Sequence, residues 1–158
     1  MKNGTCSIAV GLMALAATVT AGPAGGLDAQ TSDALEGAWS AEHYHLAGGV
    51  THPVRGQIFF VDGRWQVLFF VVDETGGPRR GSGEGGTYER TTDGVVFKHL
   101  FNLSVGEALP GLEPAPLRMT VRNPDEASLE PTRIDVDGEE LTLHFPSGNR
   151  MVFRRSSG

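Results

Sequence analysis

Three histidines are the residues of this sequence whose types and spacing most directly indicate chemistry. His43 and His45 are separated by one residue, so on a β-strand both imidazole rings would lie on the same face. If Trp39 faces the interior of the protein, alternation along the strand predicts that His43 and His45 face it too. Imidazole nitrogens bind zinc, copper and iron, and His99 would supply a third ligand. Two other interpretations fit the same pattern: ordinary strand residues at a barrel mouth, and the lining of an organic-ligand site.

Tyr88 and His99 form a second candidate pair. A two-residue Asp93-Gly94 hairpin would pair Tyr88 with His99 and turn both side chains, together with Arg90, towards the interior. A phenol beside an imidazole would serve as an acid–base pair in an isomerase- or cyclase-like reaction, or would form a structural hydrogen bond. No serine stands in a nucleophile-elbow sequence. The sequence therefore favours a non-enzymatic protein and indicates no cofactor.

Short apolar runs separated by turn sequences are the elements that must position these residues. Asp62-Gly63, Asp93-Gly94 and Asp137-Gly138 are typical of two-residue hairpins, because both central residues of such turns need a positive φ. We predict an all-β fold, an antiparallel up-and-down β-barrel of eight or nine strands. The predicted strands are Ala38–Leu46, Gly56–Val61, Trp65–Asp73, Gly83–Thr91, Val95–Val105, Leu117–Arg122, Thr132–Val136, Glu140–Phe145 and Arg150–Arg155.

Hairpin register sorts these strands into an inner and an outer face. A turn at Asp62-Gly63 pairs Phe60 with Trp65 and Ile58 with Val67. A three-residue loop at 146–148 places Leu141 and Leu143 on the same face as Met151 and Phe153. The residues predicted to line an interior ligand cavity are His43, His45, Trp65, Val67, Phe69, Tyr88, Arg90, Phe97, His99 and Phe101.

Gly37-Ala38-Trp39 opens the first strand, and Arg155 stands at the end of the last. This Gly-x-Trp, the run of antiparallel hairpins and the late arginine resemble the lipocalins, and more closely the small bacterial lipocalin-like (calycin-type) domains. The resemblance covers most of the chain in layout. It implies that Gly37 and Trp39 close one end of the barrel and that Arg155 packs over Trp39. The family's second signature, with an acidic residue and a tyrosine, is missing, which indicates a divergent relative.

The N-terminus has the composition of a secretory signal. Lys2 precedes an apolar stretch at 8–20, and cleavage after Ala29 is favoured over cleavage after Ala21. We expect a signal peptide at 1–29, one lipocalin-like barrel domain at 30–158, a secreted or periplasmic location, and no stable membrane span after cleavage. Cys6 is the only cysteine, so the mature chain would carry no thiol. The formal net charge of -6 disfavours nucleic acid as a partner.

These observations predict an exported barrel that binds a small, mainly apolar molecule in its interior. One alternative is a barrel enzyme with acid–base chemistry. Another is an extracytoplasmic protein-interaction module, because four apolar side chains lie on the face opposite to the predicted interior. A homo-oligomer would form through those residues, which are Phe59, Leu68, Phe70 and Val72.

Overall fold

The computed structural model describes residues 34–157, so the predicted signal peptide lies outside the described residues. This part of the chain forms antiparallel strands and one turn of 3-10 helix at Pro124–Glu126. No helix within residues 34–157 is long and apolar enough to cross a membrane. The strands are β1 (Gly37–His45), β2 (Thr51–Val61), β3 (Arg64–Val72), β4 (Pro78–Thr91), β5 (Gly94–Gly106), β6 (Ala115–Val121), β7 (Ser128–Asp137), β8 (Glu140–His144) and β9 (Arg150–Arg155).

Eight of these strands close into a ring. Strands β1 to β5 pair in sequence order, β5 then pairs with β7, β7 with β8, β8 with β9, and β9 returns to β1. Strand β6 stands outside the ring, paired only with β5 among the described residues. Closure leaves none of the eight ring strands with a free edge. The predicted antiparallel barrel is confirmed, with eight strands in the ring and a ninth beside it.

Two predicted hairpin registers are confirmed. Asp62 and Gly63 have φ values of 49° and 70°, and Phe60 pairs with Trp65 across the turn. In the last hairpin, Leu143 pairs with Met151 and Leu141 with Phe153. Both registers place these paired apolar residues inside the barrel.

The predicted Asp93-Gly94 turn is wrong: the turn lies one residue earlier, which shifts the β4–β5 pairing by two residues. Thr91 pairs with Gly94, so the turn consists of Thr92 and Asp93, and Tyr88 lies opposite Phe97 rather than His99. Gly94 is needed elsewhere: a Cβ atom on it would lie 2.1 Å from the carbonyl oxygen of Thr132 on β7. The glycine therefore permits close approach between β5 and β7. A shift of two residues preserves the face of each side chain.

Two irregularities reverse the alternation of side chains along β1 and β5. Against β9, the register of β1 shifts between Ala41 and His43, and Glu42 is the extra residue. Against β4, Phe101 pairs with Gly85 and His99 with Gly86, so Leu100 is the extra residue of β5. Beyond each shift the opposite set of side chains faces inwards. Faces inferred from regular strands are therefore wrong for His43, His45 and Phe101.

Trp39 closes one end of the barrel. Its side chain is fully buried, its Nε1–H donates to the carbonyl oxygen of Leu35 at 2.9 Å, and the Arg155 guanidinium carbon lies 4.1 Å from its ring centroid. Arg155 in turn donates to the carbonyl oxygens of Ala34 and Glu36. One arginine thus joins the chain entering β1 to the end of β9, in the arrangement that the lipocalin resemblance implied.

The segment between β5 and β6, residues 107–114, lies across the other end. Leu109 packs against the apolar core, and His52 Nε2–H donates to the carbonyl oxygen of Pro110 at 2.9 Å. His52 is buried and was not among the predicted site residues. This end of the barrel is thus partly covered by a loop instead of a packed layer of strand side chains.

An apolar surface, here called the outer apolar face, covers part of the outside of β3 to β6. Strand β4 contributes only glycines to its centre, at positions 81, 83 and 85, and the side chains of β3 and β5 lean over them. Phe59 on β2 is also exposed, whereas Val72 at the end of β3 is buried. Val72 is therefore wrongly predicted as a surface residue. The exposed side chains of the outer apolar face are Leu68, Phe70, Phe101, Leu103, Val105, Leu117, Met119 and Val121.

Candidate functional site

A cavity of about 180 Å³, here called the inner cavity, lies between the apolar core and the loop-covered end of the barrel. Half of the ten predicted lining residues are part of its wall. Trp65 and Phe97 form its floor, with their ring centroids 4.4 Å apart. The predicted residues that line the inner cavity are Trp65, Val67, Phe69, Phe97 and His99.

The side chains of His43 and His45 lie on the outer face of the barrel wall, whereas that of His99 lies on the inner face. Their ring centroids are 5.8 Å apart, and His45 Nδ1 is hydrogen-bonded to Thr51 Oγ1 at 2.8 Å. Partial burial, then the positive charges of Arg150 and His43, lower the pKa of His45. The metal site of three histidines is therefore wrong, and residues 34–157 contain no group of three His, Cys, Asp or Glu side chains arranged for a metal ion.

Tyr88 points inwards but lies at the closed end, away from the inner cavity. Its hydroxyl donates to Glu36 Oε1 at 2.8 Å, and its ring meets Phe60 edge-on at 5.4 Å. Burial and the neighbouring Glu36 carboxylate raise the pKa of Tyr88. Arg90 is exposed, with its guanidinium carbon 5.8 Å from the Tyr88 ring centroid. The proposed Tyr88–His99 acid–base pair is not formed.

Phe101 also lies outside the inner cavity. Its ring lies on the outer apolar face against Gly85, where an added Cβ would come within 2.3 Å of Phe101 Cζ. The extra residue Leu100 causes this placement, because it reverses the alternation directly after His99.

Polar groups gather at one side of the inner cavity. His99 Nδ1 lies 2.8 Å from Glu84 Oε2, and His99 Nε2 lies 3.8 Å from Glu130 Oε1. His99 and Glu84 are therefore hydrogen-bonded, whereas the separation between His99 and Glu130 is too long for a hydrogen bond. Burial raises the pKa of the Glu130 carboxyl, with a further rise from Glu84 and an opposing effect from His99.

The same three polar residues also line a second, wider cavity of about 510 Å³, here called the outer cavity. It lies where β5 leaves β7 and turns to β6 as its neighbour. Arg122, Asn102 and Ser128 contribute its other polar groups. Glu84, His99 and Glu130 therefore stand at the junction of an apolar inner cavity and a polar outer cavity.

Sequence reasoning missed Tyr44, Glu84 and Glu130 in the cavity wall. Tyr44 turns inwards only because of the register shift in β1; its hydroxyl accepts a hydrogen bond from Asn149 Nδ2 at 2.8 Å, and burial raises its pKa. For the two glutamates, alternation along the strand could have predicted an inward-facing side chain. Glu84 shares parity with the inward-facing Tyr88, and Glu130 shares parity with the buried Thr132.

Comparison with known proteins finds similarity to a solved structure. No protein-family model matches the sequence, and no curated protein matches it. Among solved structures, a lipocalin-like protein from Bacteroides uniformis is similar to 78% of this chain over 99% of its own, with 17% sequence identity and a TM-score of 0.41. The strand order, independently of that similarity, is a closed eight-strand antiparallel barrel with one added strand.

Proposed function

We propose that the barrel binds a small, mainly apolar molecule in its inner cavity, and that it does so outside the cytoplasm. The observation that supports this most directly is the cavity itself: an apolar space inside a closed barrel, with a few polar groups at one side. Ligand sites commonly have this composition, with apolar walls that contribute affinity and a few polar atoms that orient the ligand. The apolar leader at 8–20 supports the location.

The volume of the inner cavity limits the size of the buried part of the ligand. A dry engineered protein cavity of about 150 Å³ holds one benzene molecule. The inner cavity of about 180 Å³ therefore suits a single ring or a short branched alkyl group. Any remaining part of the ligand would extend into the outer cavity.

Val67→Phe is expected to abolish binding of an apolar fluorescent probe. Val67 is buried and lines the inner cavity, so a phenyl ring at this position would occupy the space that the ligand needs. Probe titration and isothermal calorimetry would measure the loss, and thermal unfolding would show that the variant is folded.

Val61→Phe is the matched control, since the same substitution is made at a side chain that is 54% exposed. It should bind the probe as the wild type does. Equal binding by wild type and Val67→Phe would show that the probe does not enter the inner cavity, and the proposal would then be wrong.

A second candidate function, self-association, is favoured by strand β6. This strand has a free edge among the described residues and belongs to the outer apolar face. Two copies related by a twofold axis could pair their β6 edges in an antiparallel arrangement. The backbone groups at the free edge of each β6 would then be hydrogen-bonded, and Met119 of one copy would lie beside Met119 of the other. On this face of β6 the exposed side chains are Leu117, Met119 and Val121, which carry no charge, and Arg118 lies on the opposite face of the strand.

Met119→Glu is expected to convert an associated form into monomers, as measured by sedimentation velocity. Met119 is 70% exposed, and two glutamates facing each other across the axis would repel. Val136→Glu on β7, away from the outer apolar face, should leave the association unchanged. A wild-type chain that sediments as a monomer at micromolar concentration would exclude self-association.

A further inference from the structure

The segment between β5 and β6, which covers one end of the barrel, is held in place at both of its ends. Arg80 Nη1 donates to the carbonyl oxygens of Glu107 and Glu113, both at 2.6 Å, and so joins the two ends of the segment to β4. Within the segment, Leu109 and Leu112 exchange backbone hydrogen bonds of 2.9 and 2.8 Å. A segment with this many contacts is expected to open rarely.

The middle of the same segment is also closely packed. Gly111 has a φ of 74°, and a Cβ atom on it would lie 2.7 Å from Leu46 Cδ1 and 3.9 Å from Val50 Cβ. The hydrogen bond from the buried His52 to the carbonyl oxygen of Pro110 adds a polar contact. These contacts fix the segment against β2 and the loop before it, so the covered end offers a ligand no open path.

The barrel wall is open on one side, beside the inner cavity. Strand β8 ends at His144 and pairs with β7 only from Arg133 onwards, so residues 128–132 have no neighbour on that side among the described strands. The outer cavity lies at this gap, which we call the side opening, and Pro131 and Pro146 both border it. Proline has no N–H to donate to a neighbouring strand, which disfavours the addition of a strand across the gap.

The inner cavity reaches solvent at the side opening. The side chains of Glu84 and Glu130 border both cavities and are 28% and 36% exposed. Ser147, in the loop that follows β8, lines the inner cavity and is exposed as well. Solvent therefore contacts wall residues of the inner cavity at this gap.

We infer that a ligand enters and leaves the inner cavity through the side opening, apolar end first, while the segment between β5 and β6 stays closed. The apolar end passes Glu130 and then contacts Trp65 and Phe97. A polar part of the ligand stays in the outer cavity, where it remains hydrated. This inference rests on the proposed function, because it concerns access to the same cavity.

A reversible cross-link tests whether the segment between β5 and β6 has to move. Val50→Cys combined with Gly111→Cys, in a Cys6→Ser chain, gives two thiols whose Cβ atoms would lie 3.9 Å apart, within the range of about 3.5–4.5 Å for a disulfide. Iodobenzene has a single ring, and its iodine atom quenches the fluorescence of an adjacent indole, so stopped-flow mixing measures its arrival beside Trp65. The oxidised and reduced forms, both checked by circular dichroism, are expected to bind iodobenzene at the same rate.

Asn102→Phe narrows the side opening and needs no disulfide. Asn102 lines the outer cavity and not the inner one, so the added ring is expected to slow iodobenzene association and dissociation by the same factor of about tenfold. The Kd would then stay unchanged, whereas an altered binding site would change it. Asn123→Phe, at an exposed asparagine that borders neither cavity, is the matched control and should change neither rate.

The outcomes separate the route of entry from the proposed function. If oxidation slows association by at least about tenfold, the segment between β5 and β6 is a lid and the inference is overturned. Equal rates in Asn102→Phe and Asn123→Phe would also overturn it, and in both cases the inner cavity remains a binding site. If iodobenzene and the apolar fluorescent probe both fail to bind the wild-type chain, the proposed function fails, and the inference fails with it.

Discussion

Trp39→Ala is expected to lower the free energy of unfolding by about 3–5 kcal/mol, the usual cost of truncating a fully buried tryptophan. The side chain has 0% exposure and lies beneath the Arg155 guanidinium. Its removal would leave a void at the closed end and take away the indole donor to Leu35. Because a domain of this size is stable by only about 5–15 kcal/mol, a large fraction of its stability would be lost. Urea unfolding followed by circular dichroism measures the change.

Trp39→Phe is the intermediate variant. It keeps an aromatic surface beneath Arg155 and removes the indole N–H, so its loss should be clearly smaller than that of Trp39→Ala. If Trp39→Ala costs less than about 1 kcal/mol, Trp39 does not anchor the closed end, and the described packing is incorrect.

Gly86→Ala is expected to destabilise the barrel by at least about 2 kcal/mol, because the clash is with backbone. A Cβ atom on Gly86 would lie 1.9 Å from the carbonyl oxygen of Lys98, so β4 and β5 would have to separate beside the extra residue Leu100. The same separation would move His99 relative to Glu84. Chemical unfolding would show the loss of stability, and titration with the apolar probe would show weaker binding.

Gly83→Ala is the matched control in the same strand. Its Cβ would lie 3.4 Å from Leu68 Cδ1, an ordinary contact with a flexible side chain. Since glycine in a strand interior is itself less stable than alanine by about 0.5–1 kcal/mol, this variant should equal or exceed the wild type in stability. Similar losses for both variants would contradict the close approach of β4 and β5 at Gly86.

The strands could be predicted from the sequence because alternation and turn residues are local signals. Asp62-Gly63 specified its hairpin correctly, and the loop before Asn149 could be chosen by asking which register buries Met151 and Phe153. Gly94 misled the prediction because a glycine suits both a turn and a close strand contact. Its actual role depends on Thr132, which lies far away in sequence.

The candidate site was less predictable than the fold. Alternation places a side chain correctly only while a strand stays regular, so Trp65, Val67 and Phe69 on regular β3 were placed inside the barrel. Register shifts depend on contacts with neighbouring strands, which a single sequence does not reveal. For this reason the histidines of β1 were assigned to the interior, and Tyr44 was not.

The irregularity in β1 has a consequence for comparing this chain with other barrels. An ungapped alignment against a regular strand would match Tyr44 to an outward-facing position and His43 to an inward-facing one. In β5 the same error would begin at Phe101, directly after the extra residue. A correct alignment must therefore open gaps inside strands, at Glu42 and Leu100, where alignment methods normally penalise them most. Relatives that share this cavity would then be recognised by matched inward positions rather than by continuous sequence identity.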